Sequence, residues 1–261
     1  MNLIAIFQKE LQNYFASPLA YVVAGVFWLI GGFYLVGMLL GEEGLIQQVA
    51  MSDRNNLITE PIDVAYILLN SFFAVLGSLC VFVLPLLSMG LYTKERKLGT
   101  FGLLATAPFY NWVVALGKLF SAVTFFCFAI APFLLYEIII FKAATPPIPV
   151  SFPLLAHGSL ILFAAAILSW GMFISSLSDS YLVSAVLTFG LVLFFWVVDI
   201  IARDIGGLTG EILRHLSLLE SYNNSIRGVF ELSDLVLLSS YIVLGVFLTA
   251  QSSETLRSLK K

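Results

Sequence analysis

Residues 66–92 read YILLNSFFAVLGSLCVFVLPLLSMGLY, and no charged side chain occurs between Tyr66 and Tyr92. About 20 apolar residues in a helix cross the roughly 30 Å of hydrocarbon in a bilayer, so this run is long enough to span one. Working outward, five more windows of similar character lie at residues 18–40, 111–140, 154–177, 181–198 and 235–250. The expected fold is therefore an all-α integral membrane protein with six transmembrane helices, forming one transmembrane domain over residues 1–261.

Composition agrees. Hydrophobic residues make up 60% of the chain and charged residues 11%, against roughly 25% charged in an ordinary globular domain. A net charge of −3, with scattered basic residues, argues against nucleic acid as a partner. Cys80 and Cys127 both sit in apolar runs, where a thiol serves as a small packing residue rather than in a disulfide or metal site.

The connections between windows carry their own signals. In residues 1–17, Ile4, Phe7, Leu11 and Tyr14 recur at helical spacing with Gln8, Lys9, Gln12 and Asn13 between them, the pattern of an amphipathic helix lying on the membrane. Ser17-Pro18 ends that helix and opens the first span, with serine as N-cap and proline at the first helical position. Ser178-Asp179-Ser180 is so short that the fourth and fifth spans must form a hairpin. Pro146, Pro147, Pro149 and Pro153 stiffen the preceding connection. After the fifth span, Ile212, Leu213, Leu216 and Leu219 alternate with Glu211, Arg214, His215 and Glu220. They predict a short interfacial helix on the outer face, followed by a polar stretch, Ser221 to Asp234. Asn223-Asn224-Ser225 matches a glycosylation acceptor, a pattern common by chance.

Lys118 and Glu137 fall inside the third window and Asp199 closes the fifth. Near helix ends such charges are tolerated, because a long side chain snorkels to the headgroups, so Lys118 and Glu137 are read as interfacial anchors. His157, near the start of the fourth span, is read as a locally hydrogen-bonded histidine.

Basic residues set the orientation. With the N-terminus inside, Lys9, Lys94, Arg96, Lys97, Lys118, Arg257, Lys260 and Lys261 are cytoplasmic, eight against the five of Arg54, Lys142, Arg203, Arg214 and Arg227 outside. Both termini are expected in the cytoplasm. The sequence contains no H-E-x-x-H zinc motif, no pair of intramembrane acids and no G-x-x-x-x-G-K-[ST] phosphate loop, so neither an enzyme nor a nucleotide site is indicated. The informative loop lies between the second and third spans: TKERKLGTF at residues 93–101, then GLLATAP. By charge alone it is a positive-inside anchor with a short surface helix.

Three stretches give that loop a second reading. They are Lys9-Glu10-Leu11-Gln12-Asn13-Tyr14-Phe15 with Ser17-Pro18-Leu19-Ala20-Tyr21; residues 94–106 continuing to Leu116-Gly117-Lys118; and Leu218-Leu219-Glu220-Ser221 with Arg227-Gly228-Val229 and Asp234. Together they resemble the ABC-2 type permeases of ABC transporters, in the branch with the gliding-motility permeases and the permease of nitrous-oxide-reductase maturation. The resemblance implies a bacterial inner-membrane permease that works as an exporter and dimerises with a second copy or a paralogue. It also implies a separate ABC ATPase subunit that carries ATP and Mg, with no cofactor in this chain. Lys94, Glu95, Arg96, Lys97, Leu98, Gly99, Thr100 and Phe101 would form the cytoplasmic coupling helix that contacts the ATPase. Phe7, Lys9, Glu10, Leu11 and Tyr14 would lie on a connecting helix beside it. The late segment departs from the branch, which has acidic or aromatic residues where Asn223, Asn224 and Ser225 stand. A membrane scaffold or mechanical subunit that transports nothing is the alternative, distinguished by the absence of ATP-dependent movement across the bilayer.

Overall fold

The computed structural model describes residues 3–55, 63–100, 110–144, 147–205, 207, 217–226 and 232–258, with side chains for all of these except 52–55, 203–204 and 256–258. Among them every regular element is an α-helix: α1 (Leu3–Phe15), α2 (Pro18–Leu40), α3 (Leu45–Asn55), α4 (Val64–Ser88), α5 (Thr93–Lys97), α6 (Asn111–Ala143), α7 (Ser151–Leu177), α8 (Tyr181–Asp204), α9 (Leu218–Ile226) and α10 (Leu232–Ser258). Six of these, α2, α4, α6, α7, α8 and α10, are long and apolar enough to span a membrane, which fits a multi-pass membrane protein. Their outward faces carry Phe33, Leu29, Leu182, Val243 and Phe247, all largely exposed. Such faces are costly in water and suited to lipid.

Helix α7 is the centre of the bundle, packed by α4, α6, α8, α9 and α10. Small residues bring its neighbours close, as expected where van der Waals contact replaces the hydrophobic effect between helices. A Cβ at Gly245 of α10 would stand 2.5 Å from the Ser169 hydroxyl, and Gly171 faces Ser88 of α4 in the same way. Pro132 lies inside α6, where it removes a backbone donor. In that turn the Trp28 indole of α2 donates to the Ala129 carbonyl at 2.5 Å.

Helix α1 lies along α6. Leu11 and Tyr14 of its apolar stripe pack against the core, Ile6 and Glu10 are buried, and Ile4 is 62% exposed. Two features of α6 seat Ile6 and Glu10. The Lys118 side chain pairs with Glu10, and Gly117 has room for Ile6, whose Cγ2 lies 2.8 Å from where a Gly117 Cβ would stand. Gly117→Ala is therefore expected to lower stability by about 1–3 kcal/mol through overpacking. Thermal unfolding in detergent checks this, with Gly158→Ala as control because an added Cβ there meets nothing within 4 Å.

The Ser178–Ser180 turn forms the expected hairpin, and the Ser180 side chain caps α8. Ser17 and Pro18 take the expected positions at the start of α2, without a hydrogen bond from the serine side chain. The outer interfacial helix is a correction: the helix covers Leu218–Ile226, so Ser221 to Ile226 are helical rather than a polar linker, and residues 211–216 lie outside the described part. Tyr222 explains the shift. It is buried, stacks on Phe163 with centroids 4.7 Å apart and donates its hydroxyl to the Phe73 carbonyl at 2.6 Å. Ser225, the acceptor-motif serine, is buried as well.

Candidate functional site: a charged junction between α1, α5 and α6

One end of the bundle gathers α1, the α4–α5 segment, the α7–α8 turn and the C-terminal half of α10. Glycine and charge shape the local chain there. Tyr92 precedes the single-turn helix α5, and Gly99 follows it at φ +68°, the left-handed conformation that glycine adopts without strain. Leu98, 66% exposed, sits at the tip with Gly99 and Thr100. Phe101 lies outside the described residues.

Lys118 organises this end. Expected to snorkel, it is instead 1% exposed, and the reason is its set of acceptors. Its Nζ lies 3.1 Å from Glu10 Oε1 of α1 and 2.6 Å from Glu95 Oε1 of α5, and it donates to the Leu91 carbonyl at 2.6 Å. The Tyr92 ring covers it, with the centroid 5.0 Å from Nζ. A buried ammonium needs this degree of pairing, because desolvation of the ion otherwise outweighs any Coulombic gain. Burial alone would raise the Glu10 pKa, but the Lys118 charge and hydrogen bond, aided by Lys9 and Asn13, hold it below the usual carboxylate value. Burial, with Glu10 adding to it, pushes the Tyr14 pKa up. That hydroxyl donates to the Leu87 carbonyl at 2.8 Å, and the ring stacks on Phe125.

A second set of bonds ties α5 to the α7–α8 hairpin. Ser175 Oγ accepts from the Tyr92 and Thr93 amides at 2.9 and 3.0 Å and donates to the Met89 carbonyl at 3.0 Å. The Arg96 guanidinium pairs with Asp179 and donates to the Ser176 carbonyl at 2.7 Å. Lys97 stands over the Tyr181 ring, 5.2 Å from its centroid.

The residues singled out from the sequence thus fall into two groups. Glu95 and Arg96 turn inward and fix the loop to α6 and to the hairpin. Lys94, Lys97, Leu98, Gly99 and Thr100 are exposed. On α1, Glu10 and Tyr14 make the contacts with α6 and α4, Phe7 and Leu11 are half-buried, and Lys9 is exposed beside Glu10 at 3.5 Å. Lys118, Ser175 and Asp179 join this junction although the sequence does not mark them as part of it. For Lys118 the signals are its place inside an apolar window and in the stretch 116–118 that carries the family resemblance.

Glu137 is a further correction. Read as an interfacial anchor, it is 0% exposed, with its Oε2 3.5 Å from Nδ1 of His157. His157 makes the local bond expected of it, Nδ1 to the Pro153 carbonyl at 3.0 Å, while being buried. The sequence matches no known protein-family profile and no curated protein.

Proposed function

We propose that this chain is the membrane-spanning permease subunit of an ABC transporter of the ABC-2 type, in a bacterial inner membrane with both termini cytoplasmic. One observation supports the reading above others: Lys118 joins the surface helix α1 to the loop helix α5 through Glu10 and Glu95. A topological anchor needs basic charge only. It does not need a loop fixed by a buried ion pair to one spanning helix and by Arg96 and Ser175 to another and to the turn that follows it. Such fixing suits an element that must transmit force.

On this reading a separate ABC ATPase subunit carrying ATP and Mg docks on the exposed tip, Leu98 to Thr100, flanked by Lys94 and Lys97. Movement of the docked subunit on nucleotide binding then displaces α5. Lys118 passes that displacement to α6 and α1, the Arg96 and Ser175 bonds pass it to α7 and the turn after it, and Lys97 over Tyr181 passes it to α8. A second copy or a paralogue completes the permease, and substrate moves along the interface between protomers in the export direction.

The test is reconstitution. The purified chain alone should show no ATP hydrolysis, and a photo-crosslinker at Leu98 should capture the ATPase subunit in the assembled complex. Hydrolysis by the chain alone, or capture from Leu29 but not from Leu98, would refute the proposal. Vesicle uptake of substrate that fails to depend on ATP would favour the scaffold instead.

Orientation is checked separately. A cysteine at Thr100 should resist an impermeant thiol reagent in intact cells while one at Glu43 reacts, both positions being exposed. Labelling at Thr100 but not at Glu43 would invert the topology.

A further inference from the structure

The half of the bundle away from α5 holds a second pair of ionisable groups that the coupling reading does not use. Glu137 lies six residues before the end of α6 at Ala143, and His157 six residues after the start of α7 at Ser151. At 1.5 Å per residue both stand about 9 Å inside their helices, so they share one level. Both are buried, and their polar atoms lie 3.5 Å apart. Among the described residues, neither carboxyl oxygen of Glu137 has a hydrogen-bond partner. The Phe73 ring meets the imidazole edge-on at 4.9 Å, so the surroundings are apolar.

A bare carboxylate in such a place is strongly disfavoured, and so is an unpaired imidazolium. The imidazole is already oriented. Its Nδ1 faces the Pro153 carbonyl at 3.0 Å, and because a carbonyl only accepts, this bond places a proton on Nδ1. The Ile130 backbone also lies against the ring. A single further proton, on Glu137 or on the ring, leaves the pair without net charge. Removing it leaves one negative charge between α6 and α7, and adding another leaves one positive charge.

Among the described residues, the other ionisable groups nearby do not supply a counter-charge. Tyr222 of α9 interacts electrostatically with both Glu137 and Cys80 of α4, but its hydroxyl is committed to the Phe73 carbonyl. Glu220 of α9 and Asp234 of α10 are acids at the same end. Lys142, at the end of α6, is exposed.

We propose that Glu137 and His157 form a proton-binding site in which the pair carries one exchangeable proton, on the Glu137 carboxyl or on the buried Nε2 of the ring, while α6 and α7 are packed as seen here. Proton occupancy and the packing of these two helices are then linked, because either change of charge is unfavourable in the packed state. The inference rests on this pair alone and stands whether or not the chain couples to an ATPase.

The ring nitrogens of His157 report the site directly. The chain has only two histidines, His157 and His215, so His157→Gln assigns the signals of the full chain labelled with ¹⁵N-histidine in lipid nanodiscs. Two interacting groups titrate in linked steps, so the His157 signals of the wild type should respond in two steps as pH is varied. In Glu137→Gln the step at high pH should vanish, and the ring should take up its second proton only at a proton concentration at least tenfold higher. A single step in the wild type, like that of an isolated imidazole, would overturn the proposal even if the variant failed to fold. An unchanged His157 titration in a folded Glu137→Gln would overturn it equally.

Discussion

Lys118→Met is expected to lower the stability of the folded chain by about 3–5 kcal/mol, the range seen when one partner of a buried ion pair is removed. Methionine fills nearly the same volume, so the loss is electrostatic: Glu10 and Glu95 are left facing each other near the Leu91 carbonyl with no cation between them. Thermal unfolding in detergent and the yield of folded protein both read the effect. Adding Glu10→Gln and Glu95→Gln to Lys118→Met should recover most of the loss, because a neutral junction leaves no charge unpaired. Failure of that triple variant to recover stability would mean that the lysine acts through packing.

The same junction has a pH signature. The Glu10 pKa is lower in the folded chain than its ordinary value, so its contribution is complete above the ordinary carboxylate range, near pH 4.3. It is lost as pH falls through the lowered folded-state value. Stability of the wild type should therefore decline on acidification through that window, and Lys118→Met should lack this part of the decline.

The spans were legible because lipid imposes a simple demand: every long helix must be uncharged over about 20 residues. The first window agrees with α2 to the residue, the second runs past the end of α4 at Ser88, and the others differ by extension at their ends, as with α8 reaching Asp204 and α10 reaching Ser258. Extension was invisible to a search for uncharged windows, since Asp199, Asp204 and Glu254 continue a helix without continuing its apolar character.

Interior polar positions were harder to read. Lys118 and Glu137 have the same signature in the sequence as a snorkelling anchor, and only the partners that folding brings from α1, α5 and α7 distinguish them. Glu10 is 108 residues from Lys118 in the chain, and spacing along one helix carries no information about such a pair. In α1 the apolar spacing marks Ile4, Phe7, Leu11 and Tyr14, but gives no sign that the charge on Lys118 and the space above Gly117 bury Ile6 and Glu10 as well. At α9, polar residues in the sequence concealed a buried face because Tyr222 satisfies its hydroxyl on α4 and Ser225 satisfies its own on the Ser221 carbonyl.

Loop residues 92–100 divide in the same way. Charge identified the loop but did not separate residues that hold it from residues left exposed. Gly99 was the exception, since its turn is a property of the residue itself.

The most direct test of the permease reading uses that division. Leu98 is exposed at the loop tip and makes no side-chain bond that fixes the fold, so Leu98→Asp should leave stability and membrane level unchanged. An apolar anchor at the centre of an interface is worth about 2 kcal/mol or more, roughly 30-fold in affinity. The measurement is co-purification of the ATPase subunit with wild type and Leu98→Asp at matched membrane levels, together with hydrolysis coupled to the permease. The account predicts at least a 30-fold loss of association and loss of coupled hydrolysis in the variant, and full association with undiminished coupled hydrolysis would contradict it.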